Sequence, residues 1–386
     1  MERTNEILIQ IIGNEVCGRQ IELPPDLMSD EQLVIDLFVQ AKQHDVVHIV
    51  ASNLKKNNIL SGSAAKAYTD QLYSAVLRSE KLNHAFESVC KTLEDEKIPY
   101  IPLKGAVLRE LYPEVWMRSS VDVDILVHDQ DFESASQLIQ DRLGYRQTAG
   151  TSHDVTLTPD GNILIELHFC LIEEEQKIAS TKILDSVWDY AKPAEENSSR
   201  YELSDPFFFF YHISHMAKHV VQGGCGIRPF LDLWLMNRKL GCSDEETRNL
   251  LRKGSMLKFS ECAQQLSEVW FSGAEHTDIT RLLESYIFKG GTFGSNETRM
   301  LSDQHHNGGK RKHIFRRIFV SRKDLAYTYP IVKKYRFLTP FCEICRLFSL
   351  LFGKKRKFRK AYLTDLNNIS AEYAYEIRKL FESVEL

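Results

Sequence analysis

Val121-Asp122-Val123-Asp124-Ile125-Leu126-Val127 alternates carboxylates with branched apolar residues. Successive side chains of an extended strand point to opposite faces, so Asp122 and Asp124 share one face, and Val121, Val123 and Ile125 are expected to turn into a core. Ile163-Leu164-Ile165-Glu166-Leu167-His168-Phe169 repeats the pattern with one acid. Glu166 there shares a face with Leu164 and His168, while Ile165 and Leu167 point inward. A lone carboxylate in so apolar a run needs a partner that offsets its charge, and a metal ion is one. Nucleotidyl and phosphoryl transfer use such carboxylates to hold two divalent ions about 3.5–4 Å apart. Magnesium prefers oxygen ligands and keeps several waters, so Asp122, Asp124, Glu166 and nucleotide phosphates suffice for it. The plainer reading is that Asp122 and Asp124 cap a strand end and Glu166 pairs with an arginine.

Upstream, the chain reads as helices. Ser29-Asp30-Glu31-Gln32 is a capped start before Leu33, Ile35, Leu37, Phe38 and Ala41. A second helix is expected from Val46 to Leu54 and a long one from Ser63 to Glu94, whose apolar residues fall near helical spacing. Pro99 and Pro102 favour extended backbone and end this region. A short strand then runs into Leu103-Lys104-Gly105, followed by a helix from Ala106 to about Tyr112 that Pro113 stops. Beyond the Asp122/Asp124 strand, Asp129 or Asp131 caps a helix that Gly144 ends. Tyr145 to Thr148, Asp154 to Thr158 and Ile163 to Phe169 are expected as strands, the last two joined by a Pro159-Asp160-Gly161-Asn162 turn.

A charged linker, Glu173 to Lys177, leads back to helices. Phe207 to Val221 is one, Gly223-Gly224 breaks it, Ile227 to Arg238 starts the next, and more follow to about Gly290. Gly290-Gly291-Thr292-Phe293-Gly294-Ser295 and His305 to Lys312 read as exposed loops. Phe337 to Phe352 is apolar but interrupted by Glu343 and Arg346, which rules out a bilayer span. With Gly353-Lys354-Lys355-Arg356-Lys357 behind it, the segment either packs on the helical domain or lies as an amphipathic helix on a membrane surface.

The 386 residues suffice for two or three domains, and 43% apolar with 26% charged residues excludes a disordered chain. The polar start Met1-Glu2-Arg3-Thr4-Asn5-Glu6 is unlike a signal peptide, and no uncharged stretch has transmembrane length, so a cytoplasmic protein is expected. Eight cysteines lack the paired spacing of a zinc ribbon or a disulfide scaffold, and the lone Cys342-Glu343-Ile344-Cys345 carries little weight. From Lys310 to Lys360, 17 Lys and Arg face only two acids, Asp324 and Glu343. That local excess of +15 within a chain of net charge −4 leaves −19 for the remainder. Such a basic segment suits an anionic partner, nucleic acid or lipid, or pairs with the acidic remainder.

Taken together, Leu103-Lys104-Gly105, Arg118, Asp122-Val123-Asp124-Ile125-Leu126-Val127, Gly144-Tyr145 and Ile165-Glu166-Leu167-His168 resemble the uncharacterised bacterial nucleotidyltransferase family of the polymerase-beta-like superfamily. His215-Met216-Ala217-Lys218-His219, Gly226-Ile227-Arg228-Pro229 and Leu231-Asp232-Leu233 resemble its helical motifs. The resemblance implies an α+β protein: a minimal polymerase-beta-like nucleotidyltransferase fold, with a mixed sheet and flanking helices, plus an extensive helical domain. The expected divisions are an N-terminal helical region (1–95), the nucleotidyltransferase core (96–172), a helical domain closing the cleft (173–300) and a basic helical region (301–386). It also implies that Asp122, Asp124 and Glu166 bind Mg2+ or Mn2+, with Glu166 helping to activate the acceptor. The activity implied is transfer of a nucleoside monophosphate from an NTP, with release of pyrophosphate.

The superfamily places Gly-Ser before the nucleotide phosphates, whereas this chain has Lys104-Gly105. Gly105 still permits close backbone approach to a triphosphate at a helix N-terminus, and Lys104 adds positive charge. Arg118 either neutralises phosphate or holds Asp122 in a salt bridge. His168 orients Glu166, contacts substrate, or is a hydrogen-bonded structural residue. His212, His215 and His219 share a helix face, and His215 and His219 have zinc-pair spacing. With no glutamate between them and no third ligand nearby, the spacing argues against zinc. Lys218 and His219 are instead expected to face the nucleotide phosphates, with Arg228 and Asp232 ordering the next helix; the alternative is an interdomain hydrogen-bond network. Two other functions fit the same residues, a toxin-like enzyme adding nucleotides to RNA and a non-catalytic nucleotide-binding scaffold. The acceptor, whether small molecule, glycan, protein or RNA, has no motif in the chain.

Overall fold

A computed structural model describes residues 2–150, 153–158, 163–171, 180–241, 244–306, 322, 325–326, 329–352 and 369–386. Strands β1 (Tyr100–Pro102), β2 (Asp122–Val127), β3 (Arg146–Gly150), β4 (Asp154–Thr158) and β5 (Leu164–His168) form one mixed sheet in the order β1-β2-β5-β4-β3. β2 and β5 run parallel, with Asp124 directly opposite Glu166. The other three pairings are antiparallel. The two acid-bearing strands are thus adjacent although one helix and two strands separate them in the chain.

The period-two pattern of β2 divides its neighbours. Val123, Ile125 and Val127 pack with Ile165 and Leu167 against helices α4 (Gly62–Asp95) and α6 (Phe132–Leu143), which supply Leu82, Val89, Leu93, Ala135 and Ile139. On the other face, Leu126 joins a larger core built from helices. These include α1 (Arg3–Val16), α2 (Glu31–Gln43), α3 (Val47–Lys56), α8 (Asp205–Val221), α9 (Arg228–Lys239), α11 (Leu257–Ser272), α12 (Asp278–Gly290) and α16 (Ala371–Val384). Asp122 and Asp124 share Leu126's face, so the acids turn toward the helices rather than the inner core. Helices from residues 1–95 and from 173–300 share this larger core, with α1 against α11 and α8 against α9.

Several elements follow the expected lines. Asp30 caps α2, its side chain accepting from the Leu33 N–H at 3.0 Å. Helix α6 ends at Gly144. Other expectations are corrected. Val121 lies one residue ahead of β2 and is 54% exposed rather than buried. The helix after β1 starts earlier than Ala106, as α5 (Lys104–Leu108), and a 3-10 turn (Arg109–Leu111) continues it.

Residues 290–295 are not a free loop. A Cβ on Gly224 would sit 2.1 Å from the Gly294 nitrogen, so the two backbones meet where no side chain fits. The Thr292 N–H also donates to the Gln43 carbonyl at 3.0 Å. His305 and His306 end helix α13 (Asn296–His306) and lie against Phe381 of α16. The turn 159–162, the linker 173–177 and residues 307–312 lie outside the described residues, as do 12 of the 17 Lys and Arg of the basic segment 310–360.

Helix α15 (Thr339–Phe352) carries the late apolar stretch. Its described contacts include the preceding 3-10 turn (Arg336–Leu338), and Phe341, Ile344 and Phe348 are 65%, 52% and 60% exposed. The expectation that this stretch buries its apolar face on the helical domain does not hold for these side chains. No described helix is long and apolar enough to cross a membrane.

Candidate functional site

The acid face of β2 opens into a cleft of about 330 Å³ between the sheet and α8 and α9. Of the residues singled out from sequence, Lys104, Gly105, Arg118, Asp122, Asp124, Glu166, His219 and Arg228 line it. Lys218 does not. It lines an adjoining pocket of about 50 Å³ with Lys104, His153, His168, Tyr211 and Ser214. The expected pairing of Lys218 with His219 across one cleft is therefore split between two cavities.

At the floor, donor atoms of Asp124, Glu166 and His168 lie within 4.8 Å of one another. His168 Nε2 donates to Asp124 Oδ1 at 3.1 Å and stands 3.8 Å from Glu166 Oε2. Asp122 is steadied separately by Ser120, whose hydroxyl donates to its Oδ1 at 2.7 Å. The compact set thus has His168 where sequence reasoning placed Asp122, although Asp122 lines the same cleft. A second close group, His153, Asp154 and His168, shares the same imidazole.

Electrostatics separates the three acids. Burial opposes ionisation of Asp124, but the His168 hydrogen bond and the Lys104 charge outweigh it and hold that carboxyl well below the usual range. Burial and the neighbouring Asp124 charge push Asp122 up. Burial, then the charges of Asp124 and Asp122, push Glu166 up to about 7. Two carboxylates bracketing one poised near neutrality are crowded in the way a bound cation relieves.

Lys104 sets its positive charge against this group, acting on both Asp124 and Asp122. Its Nζ stands 5.2 Å from the centre of the Tyr211 ring. Burial alone would lower its pKa, but Tyr211, Asp124 and Asp122 together raise it, so the ammonium stays charged. Lys104 also takes a φ of 21°, sparsely populated for a residue with a side chain. Beside it, a Cβ on Gly105 would meet Ser120 Oγ at 3.2 Å and Arg118 Nη1 at 3.5 Å, so this backbone sits in a narrow polar corner.

Arg118 and Arg228 join the halves of the cleft. Arg118 Nε and Nη2 donate to the two carboxylate oxygens of Asp232 on α9 at 2.8 and 2.9 Å, and Tyr112 Oη donates to the same group at 2.8 Å. The expectation that Arg118 holds Asp122 is corrected: its carboxylate is Asp232. Arg228 Nη1 donates to the Ser119 carbonyl at 2.7 Å and lies 3.3 Å from Asp45 Oδ2. These bonds tie α9 to residues 118–119.

The helix histidines are partners of one another and of backbone. His212 Nε2 meets the Pro229 carbonyl at 3.0 Å, and His215 and His219 meet Nε2 to Nε2 at 3.1 Å. Burial, then the Lys104 charge, drives His215 well below the ordinary range, so it is neutral.

Several cleft residues escaped sequence reasoning: Asp45, Ser120, Thr292 and Phe293. Ser120 carried a signal in its place two residues before Asp122. The others come from distant loops with no local mark.

No curated protein and no solved structure matches the chain. A family model described as "uncharacterised nucleotidyltransferase" matches residues 32–272, which take in every residue singled out for the site and more than half of the chain. The protein belongs to that nucleotidyltransferase family.

Proposed function

We propose that the chain is a metal-dependent nucleotidyltransferase of the polymerase-beta-like superfamily, moving a nucleoside monophosphate from an NTP to an acceptor hydroxyl or phosphate. The observation that carries this reading is the convergence of Asp124, Glu166 and His168 within 4.8 Å, with Asp122 on the same strand, at the floor of a cleft that Lys104, Arg118 and Arg228 also line. The donor set fits a divalent cation: hard carboxylate oxygens, one buried and one poised near neutrality, with an imidazole beside them.

Asp122, Asp124 and Glu166 would hold the ion, with His168 fixing Asp124. A divalent ion held there would supply positive charge at the transferred phosphoryl group and would lower the pKa of the acceptor hydroxyl. Glu166, beside the ion, would take up the acceptor's proton. The acceptor oxygen bonds to the α-phosphorus as the bond to the β-phosphate bridge breaks, and pyrophosphate leaves with the electron pair. Lys104 places a fixed charge beside the phosphates, and Gly105 leaves its backbone accessible to them. Arg118 and Arg228 serve mainly to fix the cleft walls, since both already bond across them.

In this reading residues 96–172 carry the chemistry, 1–95 and 173–300 support and close the cleft, and 301–386 form the basic region. The chain's proposed place of action is the cytoplasm. The test is nucleotide binding and transfer by the variant Asp122→Asn/Asp124→Asn. It should stay folded by circular dichroism yet lose cation-dependent NTP binding. Parent-like binding and turnover in the variant would remove the site assignment.

A further inference from the structure

Two apolar side chains stand in water along the cleft. Phe293 is 82% exposed and Val121 54% exposed, and both line the cleft with Asp122, Arg118 and Arg228. Burial elsewhere absorbs most large apolar side chains, so exposed ones placed together at a polar cleft are informative.

Phe293 is held firmly by its backbone. Gly294 meets Gly224 so closely that a Cβ on the latter would be 2.1 Å from the Gly294 nitrogen, and a Cβ on Gly291 would be 2.5 Å from Gln43 Cγ. The Thr292 N–H donates to the Gln43 carbonyl at 3.0 Å, and the Arg299 guanidinium donates to the Phe293 carbonyl. The ring is thus exposed while the chain on both sides of it is pinned. A rigid aromatic in water loses little freedom when a flat ligand stacks on it.

We infer that Phe293 is the stacking platform for the nucleobase of the NTP, with Val121 as a second apolar surface of the same subsite. This rests on the nucleotidyltransferase reading. The phosphate-binding candidates Lys104 and Gly105 line the same cleft, and the reactant that carries both a polyanion and a flat aromatic ring is a nucleotide. Stacking accepts any base, with larger purine rings gaining more contact. Phe293 also lies outside residues 32–272, so the platform is supplied by a part of the chain beyond the family match.

Calorimetric titration with ATP, UTP and inorganic tripolyphosphate, each with Mg2+, tests the assignment. Tripolyphosphate carries the charge without a base. Phe293→Ala should weaken ATP binding about 10-fold, the range of one lost base–aromatic stack. It should weaken UTP less and leave tripolyphosphate unchanged, while Phe293→Trp should bind ATP like the parent. ATP binding unchanged in Phe293→Ala, or ATP and tripolyphosphate weakened equally, overturns the inference and leaves the nucleotidyltransferase reading intact. A parent chain that binds tripolyphosphate but neither nucleotide any better also overturns it. A parent that binds none of the three overturns both.

Discussion

Arg118 and Asp232 are 8% and 1% exposed, and their two-pronged pairing spans 114 residues of sequence. Removing one partner of a buried pair leaves an uncompensated charge, which costs roughly 3–5 kcal/mol. Arg118→Ala should therefore lower stability by about that amount in urea denaturation, since it leaves the Asp232 carboxylate with the neutral Tyr112 hydroxyl in place of a guanidinium. Arg118→Lys keeps the charge but not the planar fork, and should fall between. A parent-like midpoint for the alanine variant would show that the pair holds nothing together. Glu166 gives a pH signature. Its folded value of about 7 exceeds its ordinary 4.5, so the folded chain binds this proton more tightly than the unfolded one. That stabilisation is full below about 4.5 and is lost as pH rises through about 7. Asp124 has the opposite sign, but its window lies below its ordinary 3.8 and leaves this range untouched. With divalent ions chelated, Glu166→Gln cannot lose a proton, so its stability relative to the parent should climb between pH 5 and pH 8. A flat difference across that range would rule out the raised carboxyl.

At the scale of elements, the contact between residues 223–224 and the 290–294 loop decides where Phe293 stands. Gly224→Ala forces a Cβ into the Gly294 backbone, and overpacking of this kind costs about 1–3 kcal/mol. The variant should melt at lower temperature and bind ATP less tightly in parallel; an unchanged melting temperature would mean that the loop yields freely. This contact also shows where sequence reasoning stops. Gly-Gly-Thr-Phe-Gly-Ser has the same composition whether it is a free loop or a close-packed one, because glycine serves both. The alternation of β2 and β5 was legible, since a strand with one face against a core must place apolar residues at every second position. Their parallel adjacency, which sets Asp124 opposite Glu166, depends on long-range pairing that neither strand encodes alone. Val121 shows the cost of extending a period too far. The alternation runs through it, yet the ladder begins at Asp122, where Ser120 bonds back to the carboxylate. Arg118 was legible as a cleft residue, but its partner on α9 was not, because an ion pair between distant elements leaves no local spacing to read.

For the whole molecule, the division of charge and of exposed apolar surface points the same way. The segment from Lys310 to Lys360 carries an excess of +15 on a chain that is otherwise acidic. Within it, Phe337, Phe341, Ile344 and Phe348 are 76%, 65%, 52% and 60% exposed. Their spacing of four, three and four residues places Phe341, Ile344 and Phe348 on one face of α15, in line with Phe337 in the turn before it. A helix with a bulky apolar face and basic flanks lies in the boundary of an anionic bilayer, where each nearby Lys or Arg contributes about 1 kcal/mol and the apolar face is buried. Nucleic acid satisfies the charge but leaves the aromatic stripe in water. The chain should therefore sediment with vesicles containing phosphatidylglycerol and not with phosphatidylcholine vesicles, and added salt should weaken the association. Phe341→Ser with Phe348→Ser should reduce it without touching the cleft, whereas a purely electrostatic RNA surface would be indifferent to both changes. Salt-sensitive RNA binding with no vesicle binding would assign the basic segment to nucleic acid instead. Vesicle association that survives the double substitution would show that charge alone holds the protein there.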